Sequence, residues 1–153
     1  MIFKINPVVR LMQNVRRKAS PSFAGLGLII YRDFSGLPVL PLGNQANSHS
    51  SLPVLEMDDV EKILLEIAVA DSPWHDGFHL MNAKDLVLTH ISQYFSPPLK
   101  QLDGMPAHMG ARQMAALLGS RLVSVECIVL LGQKGNISVF NNGRLLDLSG
   151  HDI

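Results

Sequence analysis

Two long apolar runs constrain the fold of this chain more than any other feature. The segments Phe23–Tyr31 and Leu122–Leu131 are apolar at successive positions, a pattern typical of strands that are buried on both faces of a sheet. Neither run is long enough to cross a bilayer as a helix. Gly25 and Gly27 do not make the first run a dinucleotide fingerprint, because the third glycine and the following helix are missing. The chain is therefore expected to bury both runs as central strands.

Apolar residues also recur at helical spacing, once before the first run and twice between the two runs. This spacing predicts an amphipathic helix from Pro7 to Lys18, a second helix that ends near Ala70, and a short third helix over Gly110–Leu118. At the start of the second helix, the spacing of Asp58 and Glu61 resembles a capping pair.

Further strands are indicated by short apolar segments with turn residues between them. Phe78–Met81 and Leu86–Ile91 are expected to form a hairpin, and a proline-interrupted loop is expected from Tyr94 to Ala107. The polar segment Gly43–Pro53 reads as an exposed loop. Two more strands are expected near the end of the chain, over Ile137–Phe140 and Arg144–Leu148. Together these elements predict an α/β fold with a mixed central β-sheet flanked by helices.

The composition predicts a single domain over residues 1–153 and a cytoplasmic location. The formal net charge is zero, so bulk charge does not suggest binding to nucleic acid or to a membrane. One cysteine, Cys127, lies within an apolar run and cannot form an internal disulfide, which fits a reducing compartment. The basic amino terminus lacks the apolar core of a secretory signal.

The segment Trp74–His79 is the strongest candidate for a functional site. It contains Asp76 and Gly77, and a glycine beside a carboxylate allows a ligand to approach the backbone. The same dipeptide is common in simple turns. His75 and His79 could form a metal-binding pair, but no third ligand is visible, so solvated or hydrogen-bonded histidines are the favoured interpretation.

The order of four segments resembles a known family. The segments "SPWHDGFHLMN", "ISQYFSPPL", "MGARQMAALLGS" and "CIVLLGQKGNISVFNNGRLL" are similar to the diadenylate cyclase domain, the DisA amino-terminal domain family. The resemblance implies a bacterial signalling domain that joins two ATP molecules into cyclic di-AMP across a face-to-face pair, with Mg²⁺ or Mn²⁺. The attacking 3′-hydroxyl then needs a carboxylate and a metal ion beside it, and the triphosphate needs cations.

In the first motif the resemblance assigns nucleotide contacts to His75, Asp76 and Gly77. Asp76 would also be the catalytic carboxylate and metal ligand of an active enzyme. Phe78 replaces the family's alanine, and its ring could either crowd the nucleotide or stack on the base.

In the second motif Gly110 and Arg112 match the family. These two residues and Gln113 are expected to contact the nucleotide, with Arg112 and the amides of the helix start holding phosphate. Gln113 replaces a histidine and Met114 replaces an arginine, so charge stabilisation of the triphosphate is reduced. His108 lies just before this motif and could partly replace the lost histidine. An exposed loop histidine is the favoured alternative.

In the third motif the family's Ser-Glu-Glu run is replaced by Leu131, Gly132 and Gln133. Magnesium takes hard oxygen ligands, commonly carboxylates together with phosphates, so Asp76 alone is a poor metal site. Glu126 could be a relocated ligand, although a strand residue that faces solvent is the plainer account.

The sequence therefore predicts a degenerate diadenylate-cyclase-like module that binds an adenine nucleotide, ATP or cyclic di-AMP, with catalysis lost or impaired. One alternative is an active cyclase in which His108 and Glu126 substitute for missing ligands. Another is an inert structural or oligomerisation domain whose cleft is filled by Phe78 and Met114. The expected partners are an adenine nucleotide and a second copy of the chain, in a homo-oligomer formed by face-to-face pairing.

Overall fold

The computed structural model describes residues 3–43 and 49–147. Three helices are present in these ranges: α1 (Asn6–Lys18), α2 (Met57–Ile67) and α3 (Ala111–Gly119). The strands are β1 (Leu26–Tyr31), β2 (Val39–Pro41), β3 (Phe78–Asn82), β4 (Leu88–Phe95), β5 (Val125–Leu131), β6 (Ile137–Asn141) and β7 (Arg144–Asp147).

All seven strands belong to one mixed sheet with the order β2-β4-β3-β1-β5-β6-β7. The central strand β1 pairs in parallel with β3 and antiparallel with β5. Both apolar runs of the sequence therefore lie at the centre of the sheet. The prediction of an α/β fold with a mixed sheet and flanking helices is confirmed.

The two faces of the sheet carry separate apolar clusters because side chains of a strand alternate in direction. From β1, Leu28 and Ile30 pack in one cluster together with the buried faces of α1 and α2. Ile29 and Tyr31 belong to the other cluster, which includes α3. Cys127 is buried in the first cluster, and burial raises the pKa of its thiol to about 12.

Helix α1 has the predicted bounds, whereas the predicted capping pair of α2 is wrong. Glu56 is the N-cap residue of α2, and no side chain caps the helix there. Glu61 instead accepts a hydrogen bond from Nζ of Lys18 at 2.5 Å, which joins α2 to the last turn of α1. A partner so distant in the chain cannot be found from local spacing.

Several predicted boundaries also differ from the structure, and Leu148, the expected end of the last strand, lies outside the described residues. Phe23 lies outside β1 and forms an isolated bridge with Val69. Leu86 has a φ of 56° and lies in the turn before β4. Tyr94, which was expected to begin a loop, continues β4 and pairs with Leu40 of the edge strand β2. Pairing with β2 thus extends β4 beyond what its own sequence indicates.

The expected loop Gly43–Pro53 is described only in part, because residues 44–48 lie outside the described residues. The side chain of His49 is 8% exposed, contrary to the expectation for an exposed loop. Its ring packs edge-on against Trp74, with 5.0 Å between the ring centroids. The loop therefore returns to the protein surface beside the segment that carries Asp76.

The pairing of β3 with β4 is irregular around His79. Phe78 pairs with Gln93, and Leu80 pairs with His90. Within this irregular stretch the amide of Ser92 donates to Nδ1 of His79 at 3.0 Å. His79 is fully buried, and burial together with the charge of Arg112 lowers its pKa to about 3.

Among the described residues, no helix is long and apolar enough to span a membrane.

The buried His79 gives a prediction for the pH dependence of folding. Between about pH 6.5 and 3 the unfolded chain binds a proton at His79 that the native protein does not bind, so the free energy of unfolding falls as the pH is lowered through this window. The expected slope is about 1.4 kcal/mol per pH unit at most. The substitution His79→Asn keeps an acceptor for the Ser92 amide and removes the titration, so urea unfolding between pH 5 and 6.5 should show a shallower slope.

The control for this measurement is His108→Asn, because His108 is exposed. Its slope should equal that of the unsubstituted protein. An unchanged slope in His79→Asn would contradict a neutral, buried His79.

Candidate functional site

The predicted motifs meet at one end of the sheet. Leu28 pairs in parallel with His79, so the segment that enters β1 lies beside Asp76 and Gly77, which enter β3. Leu26 pairs antiparallel with Leu131, and this pairing brings the end of β5 to the same place. Segments distant in the chain are therefore joined here by strand pairing.

A cleft of about 230 Å³ opens between the start of β1, the end of β5 with the turn that follows it, and the amino-terminal turn of α3. It is lined by Ala24, Gly25, Leu26, Arg112, Gln113, Leu130, Leu131, Gly132, Gln133, Asn136 and Ser138. The lining combines backbone groups, amide side chains and one guanidinium group. This chemistry suits a ligand that is anionic and rich in hydrogen-bond acceptors.

Arg112 is the principal charged group of the cleft. It lies in the first turn of α3, and a Cβ atom added to Gly25 would be 3.4 Å from its Nη1. Burial lowers the pKa of Arg112, while the nearby Asp76 carboxylate partly opposes this shift. Within the part of the chain that the structure describes, the guanidinium has this charge interaction but no hydrogen bond or salt bridge. Its donors are therefore available to a ligand.

Gly25 is required by the backbone at this point. Its φ is +80°, and an added Cβ would lie 3.1 Å from the carbonyl oxygen of Leu131. Both the conformation and the close approach favour glycine. The sequence indicated only that this glycine is not part of a dinucleotide fingerprint, so its role at the cleft was missed.

Gln113 caps the helix that carries Arg112. Its Oε1 accepts a hydrogen bond from the amide of Gly110 at 3.0 Å. The amides of the first helical turn have no acceptor within a helix. They lie at the positive end of the helix dipole, where anions are stabilised. Gln113 therefore caps the first turn of the helix that carries Arg112, and Gly110 is its partner.

Asp76 lies beside the cleft with an exposed carboxylate. Its side chain is 72% exposed, and its Oδ1 lies 3.4 Å from Nε2 of His75. The other ring nitrogen of His75 lies 2.7 Å from the carbonyl oxygen of Ser72. Since a carbonyl only accepts, Nδ1 carries the proton and Nε2 faces Asp76.

Gly77 was expected to leave room for a ligand, but the structure gives a different reason for it. Its φ is +77°, and an added Cβ would lie 2.5 Å from the carbonyl oxygen of Gln93. The glycine therefore allows β4 to pack against the turn that holds Asp76.

The structure places three other predicted residues away from the cleft. Phe78 is 4% exposed, and its ring packs edge-on against Phe95 at 5.5 Å between centroids. Met114 lines a separate groove with Leu99 and Met105. Glu126 forms a salt bridge with Arg32 near the opposite end of β5, so the idea of a relocated ligand beside Asp76 is wrong. In each case burial or a partner from another element decided the placement.

His108 is exposed and lies two residues before Gly110, the N-cap residue of α3. His75 and His79 are both hydrogen-bonded through Nδ1, as the favoured interpretation expects: His79 accepts from the Ser92 amide, and His75 bonds to the carbonyl of Ser72. In residues 3–43 and 49–147 no group of three or more His, Cys, Asp or Glu side chains could hold a metal ion. A divalent ion at Asp76 would therefore need oxygen ligands from phosphate and water.

Comparison with known proteins finds similarity at the level of structure. No family model matches the sequence, and no curated protein matches it. A solved structure described as a hypothetical membrane spanning protein from Bacillus cereus superposes with a TM-score of 0.62 and 18% identity. The match covers 93% of this chain and 61% of that chain, so this chain spans less than two thirds of the length of that protein.

A double mutant of DacA from Staphylococcus aureus also superposes, with a TM-score of 0.58 and 17% identity. This match covers 94% of this chain and 84% of the DacA chain. At such low identity the similarity concerns the fold and not the activity. The chain has a diadenylate-cyclase-like α/β fold with a mixed seven-stranded sheet.

Proposed function

We propose that this chain is a degenerate member of the diadenylate cyclase domain family that binds an adenine nucleotide, ATP or cyclic di-AMP. In this proposal it works as a regulatory module in bacterial cytoplasmic signalling and has lost most or all catalysis. The observation that carries the proposal is the position of Arg112, whose guanidinium lies over Gly25 in the cleft without a hydrogen-bonding partner among the described residues.

The chemistry of the cleft supports a phosphate ligand. A guanidinium group forms charge-assisted hydrogen bonds with phosphate oxygens, often two in parallel. The first-turn amides of α3 lie on the same helix and add donors and a favourable dipole. The exposed carboxylate of Asp76, which interacts with the charge of Arg112, is suited to hydrogen bonding with hydroxyl groups such as those of a ribose. Phosphate and sugar groups together describe a nucleotide.

The size and exposure of the cleft support a site that a second copy completes. Its volume of about 230 Å³ is smaller than the range of about 300–1,000 Å³ that is usual for ligand pockets. The carboxylate of Asp76 is 72% exposed and so is accessible to a group that a partner brings. Face-to-face pairing of two such domains would enclose the nucleotide, as the family resemblance implies.

The residues around the cleft also support impaired catalysis. Two ATP molecules cannot be joined without neutralising charge at the reacting phosphate. Beside the cleft, Leu131, Gly132 and Gln133 provide no carboxylate for a metal ion, and Met114 lies in another groove. An active cyclase would depend on Asp76, on Mg²⁺ or Mn²⁺ held largely by phosphate, and on His108 as a substitute donor.

The inert structural alternative finds less support in the arrangement of the side chains. It required Phe78 and Met114 to fill the cleft. Neither residue is among those that line it, because the first is packed under α3 and the second faces the groove beside Leu99.

Removal of the guanidinium at Arg112 tests the proposed phosphate contact. The substitution Arg112→Ala should weaken ATP binding by roughly tenfold to a hundredfold, because a hydrogen bond to a charged group contributes about 1.5–3 kcal/mol. Isothermal titration calorimetry measures the affinity directly. The matched control is Arg10→Ala on the exposed surface of α1, which should leave the affinity unchanged. Equal affinities of Arg112→Ala and the unsubstituted protein would remove the basis of the proposal.

Chromatography of the reaction mixture separates a binding module from an enzyme. With ATP and Mn²⁺ at increasing protein concentration, we expect bound ATP and no cyclic di-AMP. Turnover by a pair of domains would rise more steeply than the protein concentration, because two copies must meet. Detection of such product would contradict the loss of catalysis while leaving nucleotide binding intact.

A further inference from the structure

Ser92 has an uncommon backbone conformation for its position. It lies inside β4 with a φ of +52°. This is the left-handed region of backbone conformation, which residues other than glycine rarely adopt. Its side chain is almost completely buried, with 1% exposure. Such strain persists only where surrounding contacts determine the conformation, and it is concentrated near functional sites.

The contacts of Ser92 connect three segments around the Asp76–Gly77 turn. Its hydroxyl group donates to the backbone carbonyl of Asp76 at 3.1 Å. Its amide donates to Nδ1 of His79 at 3.0 Å, and its carbonyl accepts from the amide of Leu42 at 2.9 Å. The hydroxyl, amide and carbonyl groups of Ser92 thus each form a hydrogen bond with a different residue.

We propose that Ser92 is a positioning residue that holds the Asp76–Gly77 turn in its ligand-binding geometry. The inference rests on the proposed function, because it concerns the same site. The hydroxyl fixes the carbonyl of Asp76, and the carboxylate of that residue is attached to the same Cα. Its position beside Arg112 therefore depends on the Ser92 hydrogen bond.

The neighbouring contacts explain why the turn needs this support. The carbonyl of Gln93 approaches Gly77 so closely that an added Cβ would lie 2.5 Å from it, so β4 packs directly against the turn. The carboxylate of Asp76 extends into solvent on the other side. His79 is neutral at ordinary pH because burial lowers its pKa to about 3, and Nδ1 therefore stays available as the acceptor that orients the Ser92 amide.

If Ser92 served only the irregular backbone of β4 and did not position Asp76, its substitution would have different effects. Glycine adopts this φ without strain, so a residue needed only for the irregular backbone would be replaced by glycine without loss. If the hydroxyl also positions Asp76, its removal weakens ATP binding even in the glycine variant, where the backbone is unstrained. Comparison of glycine and alanine at this position separates that loss from the effect of backbone strain on stability.

The test uses Ser92→Gly and Ser92→Ala in the full chain. Both variants lose the hydroxyl, so both should bind ATP about threefold to tenfold more weakly, as expected for the loss of one hydrogen bond. Only Ser92→Ala keeps the backbone strain, so its melting temperature should be lower than that of Ser92→Gly. Isothermal titration and thermal unfolding measure the two effects separately.

The matched control is Ser120→Ala. Ser120 also has a buried hydroxyl, which donates to the carbonyl of Leu117 at 2.8 Å and accepts from the amide of Gly143 at 2.9 Å. Its replacement should lower the melting temperature without weakening ATP binding. Equal ATP affinity in Ser92→Gly and the unsubstituted protein would overturn the proposal.

A second readout does not depend on nucleotide binding. The chain contains one tryptophan, Trp74, which lies two residues before Asp76. Loosening of the turn in Ser92→Gly should increase acrylamide quenching of its fluorescence, and Ser120→Ala should not. If the unsubstituted protein binds no nucleotide, the proposed function fails, yet increased quenching would still support Ser92 as the residue that holds the turn. Unchanged quenching would contradict it.

Discussion

The parallel pairing of β1 with β3 is the interaction on which the candidate site depends. It places the segment before β1 beside the Asp76–Gly77 turn, and the antiparallel partner β5 brings Leu131 to the same end of the sheet. Helix α3 packs on one face and presents Arg112 to this junction. Because each component belongs to a different element, the site exists only when the central three strands are paired.

Close backbone contacts at this end of the sheet explain two of its left-handed glycines. Gly25 allows the guanidinium of Arg112 and the end of β5 to approach, and Gly77 allows β4 to approach. Ser92 is strained in the same region and connects the turn to the sheet. This end of the sheet is therefore built largely from backbone geometry.

Much of the fold could be predicted from the sequence because burial on both faces of a strand leaves a continuous apolar run, as in β1 and β5. The site was predicted only in part. Arg112 and Asp76 were identified from the motifs, and the structure brings them together. The packing of Phe78 and the ion pair of Glu126 were missed, since each depends on contacts with residues far away in the chain. The sequence around His79 gives no sign that its ring accepts a hydrogen bond from the amide of Ser92.

The central claim is that this end of the sheet binds a nucleotide, and a titration of the ¹⁵N-labelled protein with ATP followed by NMR tests it most directly. We predict that the amide signals of Gly25, Arg112 and Gly132 shift together with one dissociation constant, because these residues line one cleft. The signal of Lys84, which lies in the turn after β3 at the other end of the sheet, should not move. Shifts centred on Lys84, or no shifts at millimolar ATP, would contradict the account.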